Sequence, residues 1–363
     1  MKTDILVVGA GPAGLGAAIE AASCGADVCI VDENLRAGGQ LYKQIHKFFG
    51  SKNHYAGQRG FQIADALVRR TEELHVPLLL DTRALGLMDS GDVAVLRDGK
   101  AEAVTAKKVI LAVGAKENML TFPGWTMPGV MTAGAAQTFS NVHGVLVGKK
   151  IVMIGSGNVG LIVSYQLMQG GAEISAVVEA APEITGYTVH KNKILRAGVP
   201  VYVSHTVAEA RGSGHVEEAV IMEVDEHFQC IPGTEKTIEA DTILFAVGLN
   251  PRTELASMFR CEMTSEGALG GVLPIHDEFM RTSNPRVYVC GDETGVEEAN
   301  SALDEGRLAG LHAAASLGFE NESSRERIKE VQNSLMELRS GKYAAKRLAC
   351  KERIIRKGAM YYA

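Results

Sequence analysis

The sequence predicts an α/β protein with two Rossmann-like dinucleotide-binding domains and a helical C-terminal tail. Three observations carry that prediction. Gly9-Ala10-Gly11-Pro12-Ala13-Gly14 follows directly on the apolar run Ile5-Leu6-Val7-Val8. Gly155-Ser156-Gly157-Asn158-Val159-Gly160 follows Ile151-Val152-Met153-Ile154 in the same way. Each unit then has an acidic residue at its far end, Asp32 in the first and Glu179 in the second. A lone G-x-G-x-x-G is a weak signal in a chain with 40 glycines. Two of them, each opening a strand–turn–helix–strand unit, imply two dinucleotide sites.

In such a unit the first glycine permits the tight turn off the strand. The second lets backbone approach a pyrophosphate, and the third lets helix and strand pack closely. The pyrophosphate then rests on the unpaired N–H groups and positive dipole end of the helix. The first helix is expected from Pro12 to Ser23, with Leu15, Ala18, Ile19 and Ala22 at helical spacing. Proline is tolerated in a first turn because no helical hydrogen bond is lost there. Gly25 stops the helix, and Asp27 to Val31 forms the next strand. Asp32 closes it, placed to accept hydrogen bonds from ribose hydroxyls. Glu33 follows at the same strand end, on the side toward solvent. Arg36-Ala37-Gly38-Gly39-Gln40 is a glycine-rich turn whose backbone is able to lie against a flat ring.

Short β-rich runs at Leu78–Leu80 and Val93–Arg97, with the turn signal Asp98-Gly99, predict a small meander that the strand Lys108–Ala115 closes. Pro123-Gly124 and Pro128-Gly129 flank the single tryptophan, Trp125, which reads as a hinge or packing residue. The second unit repeats the first: a helix from Val159 to Met168, a stop at Gly170-Gly171, and a strand Ile174–Val178 ending at Glu179. A carboxylate there repels the 2′-phosphate of NADP, and no arginine follows closely, so NAD(H) is favoured. Thr242–Gly248 echoes the strand 108–115, and Asn250-Pro251-Arg252 turns the chain back. Val287–Asp292 is a buried strand ending in Gly-Asp, followed by a helix from about Glu297 to Ala315.

Composition narrows the function classes. With 363 residues, 46% of them hydrophobic, the chain fills two domains of ordinary size. A net charge of −6 argues against nucleic acid as the main partner. The N-terminus enters the first strand at once, and its apolar stretch is broken by glycines, Pro12 and Glu20. A cytoplasmic protein with neither signal peptide nor membrane span is expected. The six cysteines are scattered, without any C-x-x-C; Cys24 and Cys29 read as core residues, and no metal site is expected. Residues 321–363 carry 11 Lys/Arg and 5 Asp/Glu. Ile328, Val331, Leu335 and Leu338 there have helical spacing, so this basic tail reads as a solvated helix or as a docking arm for an acidic partner.

With the two fingerprints, the strand 108–115 and the terminal Gly291-Asp292, the chain resembles the two-dinucleotide flavoproteins that include thioredoxin and glutathione reductases. The resemblance implies three-layer ββα/α domains with the NAD domain inserted into the FAD domain. The expected boundaries are 1–118 and 243–320 for FAD, 119–242 for NAD and 321–363 for the tail. It implies FAD contacts at Gly9, Gly11, Pro12, Ala13, Gly14, Asp32, Glu33, Gly39, Gln40, Gly114, Asp292, Ser301 and Ala302. It implies NAD contacts at Gly155, Gly157, Asn158, Val159, Gly160, Glu179 and Gly248. The helix starting near Glu297 would turn its positive end toward the flavin.

A closer resemblance rests on Gly38-Gly39-Gln40-Leu41-Tyr42, on Phe122-Pro123-Gly124-Trp125-Thr126-Met127-Pro128-Gly129-Val130 and on Gly134-Ala135-Ala136-Gln137. These segments are similar to the flavin subunits of hydrogen cyanide synthase, opine oxidase, dye-linked proline dehydrogenase and the large sarcosine oxidase subunit. That likeness implies a hetero-oligomeric oxidoreductase coupled to a partner dehydrogenase subunit that acts on an amine or imino acid. Many members carry a cysteine-rich iron–sulfur module at the C-terminus. This tail holds only Cys350, so any iron–sulfur centre is expected on a separate protein. Without a redox-active cysteine pair, thioredoxin-reductase-like chemistry is not expected. The alternatives are a free-standing NADH-dependent flavin reductase or oxidase, and a flavin-holding subunit that binds no nicotinamide. His46, shortly after the glycine turn, is a candidate acid/base group because its unperturbed pKa suits neutral pH.

Overall fold

The computed structural model describes residues 1–49, 51–341 and 344–362. The chain divides into two units, Met1–Lys116 with Asn250–Ala363, and Glu117–Leu249, so the second interrupts the first.

The first unit is built on a parallel run in the order Leu78–Leu79, Val28–Val31, Lys2–Val8, Lys100–Leu111, with Val287–Val289 added beside the last. The long strand Lys100–Leu111 serves two partners. Its second half pairs parallel with Lys2–Val8, and its first half pairs antiparallel with Val93–Arg97 of the meander. Side chains alternate across a strand, and here both faces are covered. Ile5, Val7, Ile30, Ile110 and Tyr288 join one core with the helices. Leu6, Val8, Val31, Leu111 and Val289 join the other, with Val93, Val95 and Val104 of the meander and Phe259. This is the three-layer arrangement: meander, parallel sheet, helices.

Two helices of that unit cross with almost no side chain between them. Pro12–Ser23 lies against Ala299–Ala315. A Cβ on Gly306 would stand 1.9 Å from the Ala13 carbonyl oxygen, and one on Gly310 2.1 Å from that of Ala17. Only glycine allows that approach, and it lays the middle of the second helix against the first two turns of the other. Gly291, which precedes the second helix at φ +73°, lies so close that a Cβ on it would be 2.9 Å from that of Ala13.

The second unit repeats the plan. Its parallel sheet runs Val201–Val203, Glu173–Glu179, Lys150–Ile154, Thr242–Phe245, Val130–Thr132. Ile151, Met153 and Val177 face the helices Ala133–His143, Asn158–Gln169 and Thr188–Arg196. Val152, Ile154, Val178 and Phe245 face a three-stranded antiparallel sheet formed by His205–Arg211, Glu218–Glu223 and Lys236–Glu239.

The C-terminal segment differs from the solvated helix or docking arm its charge implies. It forms two helices, Glu322–Arg339 and Ala345–Ala359, both packed within the first unit. Val331 and Leu335 enter the main core, while Cys350 and Ile354 pack on Leu269 and Leu273. Among the described residues no helix is long and apolar enough to cross a membrane.

Candidate functional site

Each glycine loop takes the same backbone path. Gly9 and Gly155 adopt φ of +105° and +103°, which a side chain rarely tolerates, and a Cβ on either would press on a carbonyl just past the end of the neighbouring strand, that of Ala112 or Ala246. The third glycines, Gly14 and Gly160, lie under the first: a Cβ would meet the Gly9 or Gly155 oxygen at 1.8 or 2.1 Å. The middle glycines are different. A Cβ on Gly11 or Gly157 would meet nothing within 4 Å. That open side suits a phosphate approaching the backbone closely. Gly11 and Gly157 are also the N-caps of their helices, and neither helix has a side-chain cap. Elsewhere, Thr132 and Asn321 cap the helices Ala133–His143 and Glu322–Arg339 with side-chain oxygens. Leaving the two loop helices uncapped keeps their first turns available to an anion.

The residue after the first glycine is gripped from both sides in each unit. The Ala10 N–H donates to Asp32 Oδ2 at 2.5 Å, and the Ala10 carbonyl accepts from the Gly38 N–H at 2.7 Å. The Ser156 N–H donates to Glu179 Oε2 at 2.9 Å, and its carbonyl accepts from the Gly186 N–H at 2.9 Å. Thus the strand-end acids hold the loop in shape. The second acid also accepts from the Ser156 hydroxyl at 2.6 Å, the Ala181 N–H at 2.8 Å and the Thr185 hydroxyl at 3.4 Å. Asp32 is completed by the N–H and side-chain amide of Asn34, each at 2.8 Å.

The glycine turn at 38–40 packs against the first glycine loop. Gly38 is left-handed at φ +117°, and a Cβ on Gly39 would be 2.8 Å from the Gly11 Cα. The turn therefore buttresses the first glycine loop. Gln40 within it is exposed. The closing strand stops at Leu111, short of the expected 108–115, and Gly114 lies between it and the strand Ala115–Glu117 at φ +73°, with open space where a Cβ would point and its carbonyl accepting from the Arg252 N–H. Ser301 and Ala302 are buried in the first turn of the helix Ala299–Ala315. Pro12 and Ala13 open the first loop helix. Glu33 lies at the surface between Arg252 at 3.1 Å and Arg83 at 3.4 Å. His46 stacks on Phe48 with ring centroids 5.6 Å apart. In the second unit Asn158 Oδ1 accepts from the Tyr187 N–H, Val159 is exposed, and the Gly248 carbonyl accepts from the Asn118 N–H.

The strand-terminal turn Gly291–Thr294 holds two perturbed carboxyls. Burial pushes Asp292 up to about 7 and Glu293 up to about 8. Glu293 is wholly buried; one oxygen lies 3.4 Å from the Val113 N–H and the other has no partner among the described residues. Beside this turn stands an ion cluster that sequence reasoning does not pick out. Glu305 accepts from the Gly291 N–H, the Thr294 hydroxyl, Lys351 and Arg339. Its signal in the sequence is faint but present: Lys351 shares a helical face with Ile354 and Gly358, where a charge needs a buried partner.

A family model of pyridine nucleotide-disulphide oxidoreductases matches residues 3–306. An opine oxidase subunit of Agrobacterium tumefaciens (strain Ach5) is 31% identical over 342 residues, covering 86% of this chain and 66% of the relative. Hydrogen cyanide synthase subunit HcnB of Pseudomonas aeruginosa is 28% identical, covering 86% of this chain and 70% of that one. The chain thus spans about two thirds of the length of such relatives. Among solved structures, T. acidophilum thioredoxin reductase has the same fold, with a TM-score of 0.72 at 23% identity over 87% of this chain and 99% of that one. Two glycine loops of one geometry, each closed by its own acid, agree with these likenesses, and the chain belongs to the pyridine nucleotide-disulphide oxidoreductase family.

Proposed function

We propose that the chain is an FAD-dependent oxidoreductase subunit that exchanges hydride or electrons between NAD(H) and FAD. In this reading it is coupled to a partner dehydrogenase subunit that acts on an amine, imino acid or related small substrate. The observation that carries the reading is the doubled loop: an open middle glycine, an uncapped helix and an acid gripping the loop, once in each unit.

In the first unit, Gly9, Gly11 and Gly14 with the first turn at Pro12 and Ala13 would cradle the FAD pyrophosphate. Asp32 would face its adenosine ribose, and Gly114, Asp292, Ser301 and Ala302 would line its flavin half. In the second, Gly155, Gly157, Asn158, Val159 and Gly160 would receive NAD(H), with Glu179 at the ribose and Gly248 beside the loop. Glu179 favours NAD over NADP because a carboxylate set among loop donors repels a 2′-phosphate. Bound FAD supplies the hydride and electron chemistry; the protein supplies position and field.

A dithiol relay is not part of the reading. The sequence has no C-x-x-C, and burial pushes the Cys29 and Cys261 thiols up to about 11, far from a reactive thiolate. Electrons would then leave through a partner. Relatives named as subunits of opine oxidase and hydrogen cyanide synthase support that direction, and a separate iron–sulfur protein is one form the partner would take. Anaerobic titration of the yellow protein tests the whole: NADH should bleach the flavin absorbance at lower concentration than NADPH, and a second subunit should co-purify. A colourless protein removes FAD from the reading. A flavin indifferent to NADH leaves a flavin-holding subunit, and steady NADH turnover without any partner leaves a free-standing reductase.

A further inference from the structure

Glu305 lies in the middle of the helix Ala299–Ala315 with 1% of its surface exposed. Its oxygens divide between two parts of the chain. Oε2 accepts from the Gly291 N–H at 2.9 Å and from the Thr294 hydroxyl at 2.7 Å, the two ends of the turn that carries Asp292. Oε1 accepts from Lys351 Nζ at 2.6 Å and from Arg339, both supplied by the C-terminal helices. Lys351, fully buried, also donates to the Thr294 hydroxyl at 2.6 Å, and Arg339 forks onto Glu297.

Two carboxylates and two cations make this cluster neutral only as a set. A buried ammonium without its carboxylate is disfavoured, and so is the reverse. The set also has a direction: it clamps both ends of one four-residue turn whose first residue needs φ +73°. The same charges reach the turn's functional side chain. Burial raises the Asp292 carboxyl most, and the Glu297 backbone N–H lowers it next; the Glu305 charge raises it, the Lys351 charge lowers it, and the Glu297 charge raises it least.

We propose that Lys351 and Arg339 are positioning residues of the flavin site, which act through Glu305 to fix the turn Gly291–Thr294 and to balance the charge behind it. The proposal rests on the reading that Asp292 meets FAD. It gives the C-terminal segment a task within this chain: it supplies the cations that the cofactor turn requires.

The test uses the full chain and four variants, Lys351→Met, Arg339→Met, Glu305→Gln and the double variant Lys351→Met/Glu305→Gln. FAD affinity is read from quenching of flavin fluorescence, and the midpoint potential of the bound flavin from dye-equilibrated titration. The melting temperature of the apoprotein records folding. Each single variant should bind FAD about tenfold more weakly, since each breaks hydrogen bonds to a charged group. The potentials should split by sign. Reduction adds negative charge, so losing a cation in Lys351→Met or Arg339→Met should lower the potential, while losing the Glu305 charge should raise it. The double variant, neutral again, should return toward the parent. A role confined to folding weakens binding without that reversal of sign. If Lys351→Met does not fold, Arg339→Met carries the cation arm. Parent protein that binds FAD, with cation variants whose potential stays put or moves with that of Glu305→Gln, overturns the proposal alone. Parent protein that takes up no FAD overturns the flavin reading and the proposal with it.

Discussion

The two glycine loops share a backbone and differ in what holds it. In the first unit the loop is backed by close packing. Gly306 and Gly310 let one helix lie directly on the carbonyls of Ala13 and Ala17, and Gly39 lies on Gly11. In the second unit the equivalent support is polar. Ser156 stands where the first loop has Ala10, and its hydroxyl donates to Glu179 and accepts from the Thr185 N–H. Asn158 ties down Tyr187. One fold has reached one loop geometry by two routes, dispersion and backbone approach in the first unit, hydrogen bonds in the second. Packing tolerates no added volume. A net hydrogen bond contributes only about 1 kcal/mol, so single deletions are survivable.

That difference is broken most severely at the third glycines. Gly14→Ala puts a methyl 1.8 Å from the Gly9 oxygen, backbone against backbone, with helix 299–315 leaving no room to retreat. The expected outcome is loss of flavin and of the first unit's cooperative melting, a cost above about 3 kcal/mol. Gly160→Ala meets the Gly155 oxygen at 2.1 Å. It should abolish the NADH response while leaving the protein yellow, as visible spectra of the purified variants would report. A colourless Gly160→Ala protein removes the proposed division of cofactors between the units.

The next largest effect belongs to the first unit and depends on pH. Glu293 is buried, with one oxygen unpaired among the described residues, and its carboxyl is pushed up to about 8 by that burial. The folded state therefore holds a proton that the unfolded chain releases near pH 4.5. Stability from this group is complete below that pH and is lost as pH rises through about 8. Glu293→Gln removes the titration. Its melting temperature should gain on the parent between pH 5 and pH 8, by about 2–4 kcal/mol in stability at the upper end. His276 and His312, held near 4 by burial, act in the opposite sense below pH 6.5, so the parent–variant difference isolates the carboxyl. A constant difference across that range removes the buried acid.

What the sequence made legible follows the same divide between local and distant causes. The helix Pro12–Ser23 has the bounds its punctuation predicts, because a first-turn proline and Gly25 act on their own neighbours. The second fingerprint's helix extends one residue beyond the predicted bounds at each end. The glycine turn at 38–39 was legible as a turn, but its partner was not, since Gly11 lies far from Gly39 in sequence and close in space. The tail's charge was countable and its meaning was not. Eleven Lys/Arg read as a solvated or docking surface, until Lys351 and Arg339 are seen buried against Glu305. A charge count carries no information about which charges are paired inside.

A smaller effect is expected where hydrogen bonds replace packing. Ser156→Ala removes one hydroxyl from Glu179 and restores the residue type the first loop uses. The backbone bond from the Ser156 N–H to Glu179 is retained. The second unit should lose about 1 kcal/mol, and its NADH affinity should fall only severalfold. A collapse as complete as that of Gly160→Ala would mean that the hydroxyl, rather than the backbone path, shapes the second loop.

The smallest expected effect separates two adjacent carboxylates at the end of the second strand. Asp32 is buried and grips the Ala10 N–H, so Asp32→Ala leaves that donor without its acceptor and should weaken FAD binding by about tenfold or more. Glu33, next along, has 41% of its side chain exposed and faces Arg252 and Arg83. Exposed pairs of this kind contribute about 0–1 kcal/mol, because solvent screens the attraction and two long side chains must be ordered to keep it. Glu33→Ala should therefore leave FAD affinity within about twofold of the parent, and melting within about 1 kcal/mol, less in high salt. Equal losses in the two variants would mean that Glu33 reaches the cofactor and that Arg252 and Arg83 hold it there, which would move the ribose contact one residue along the chain.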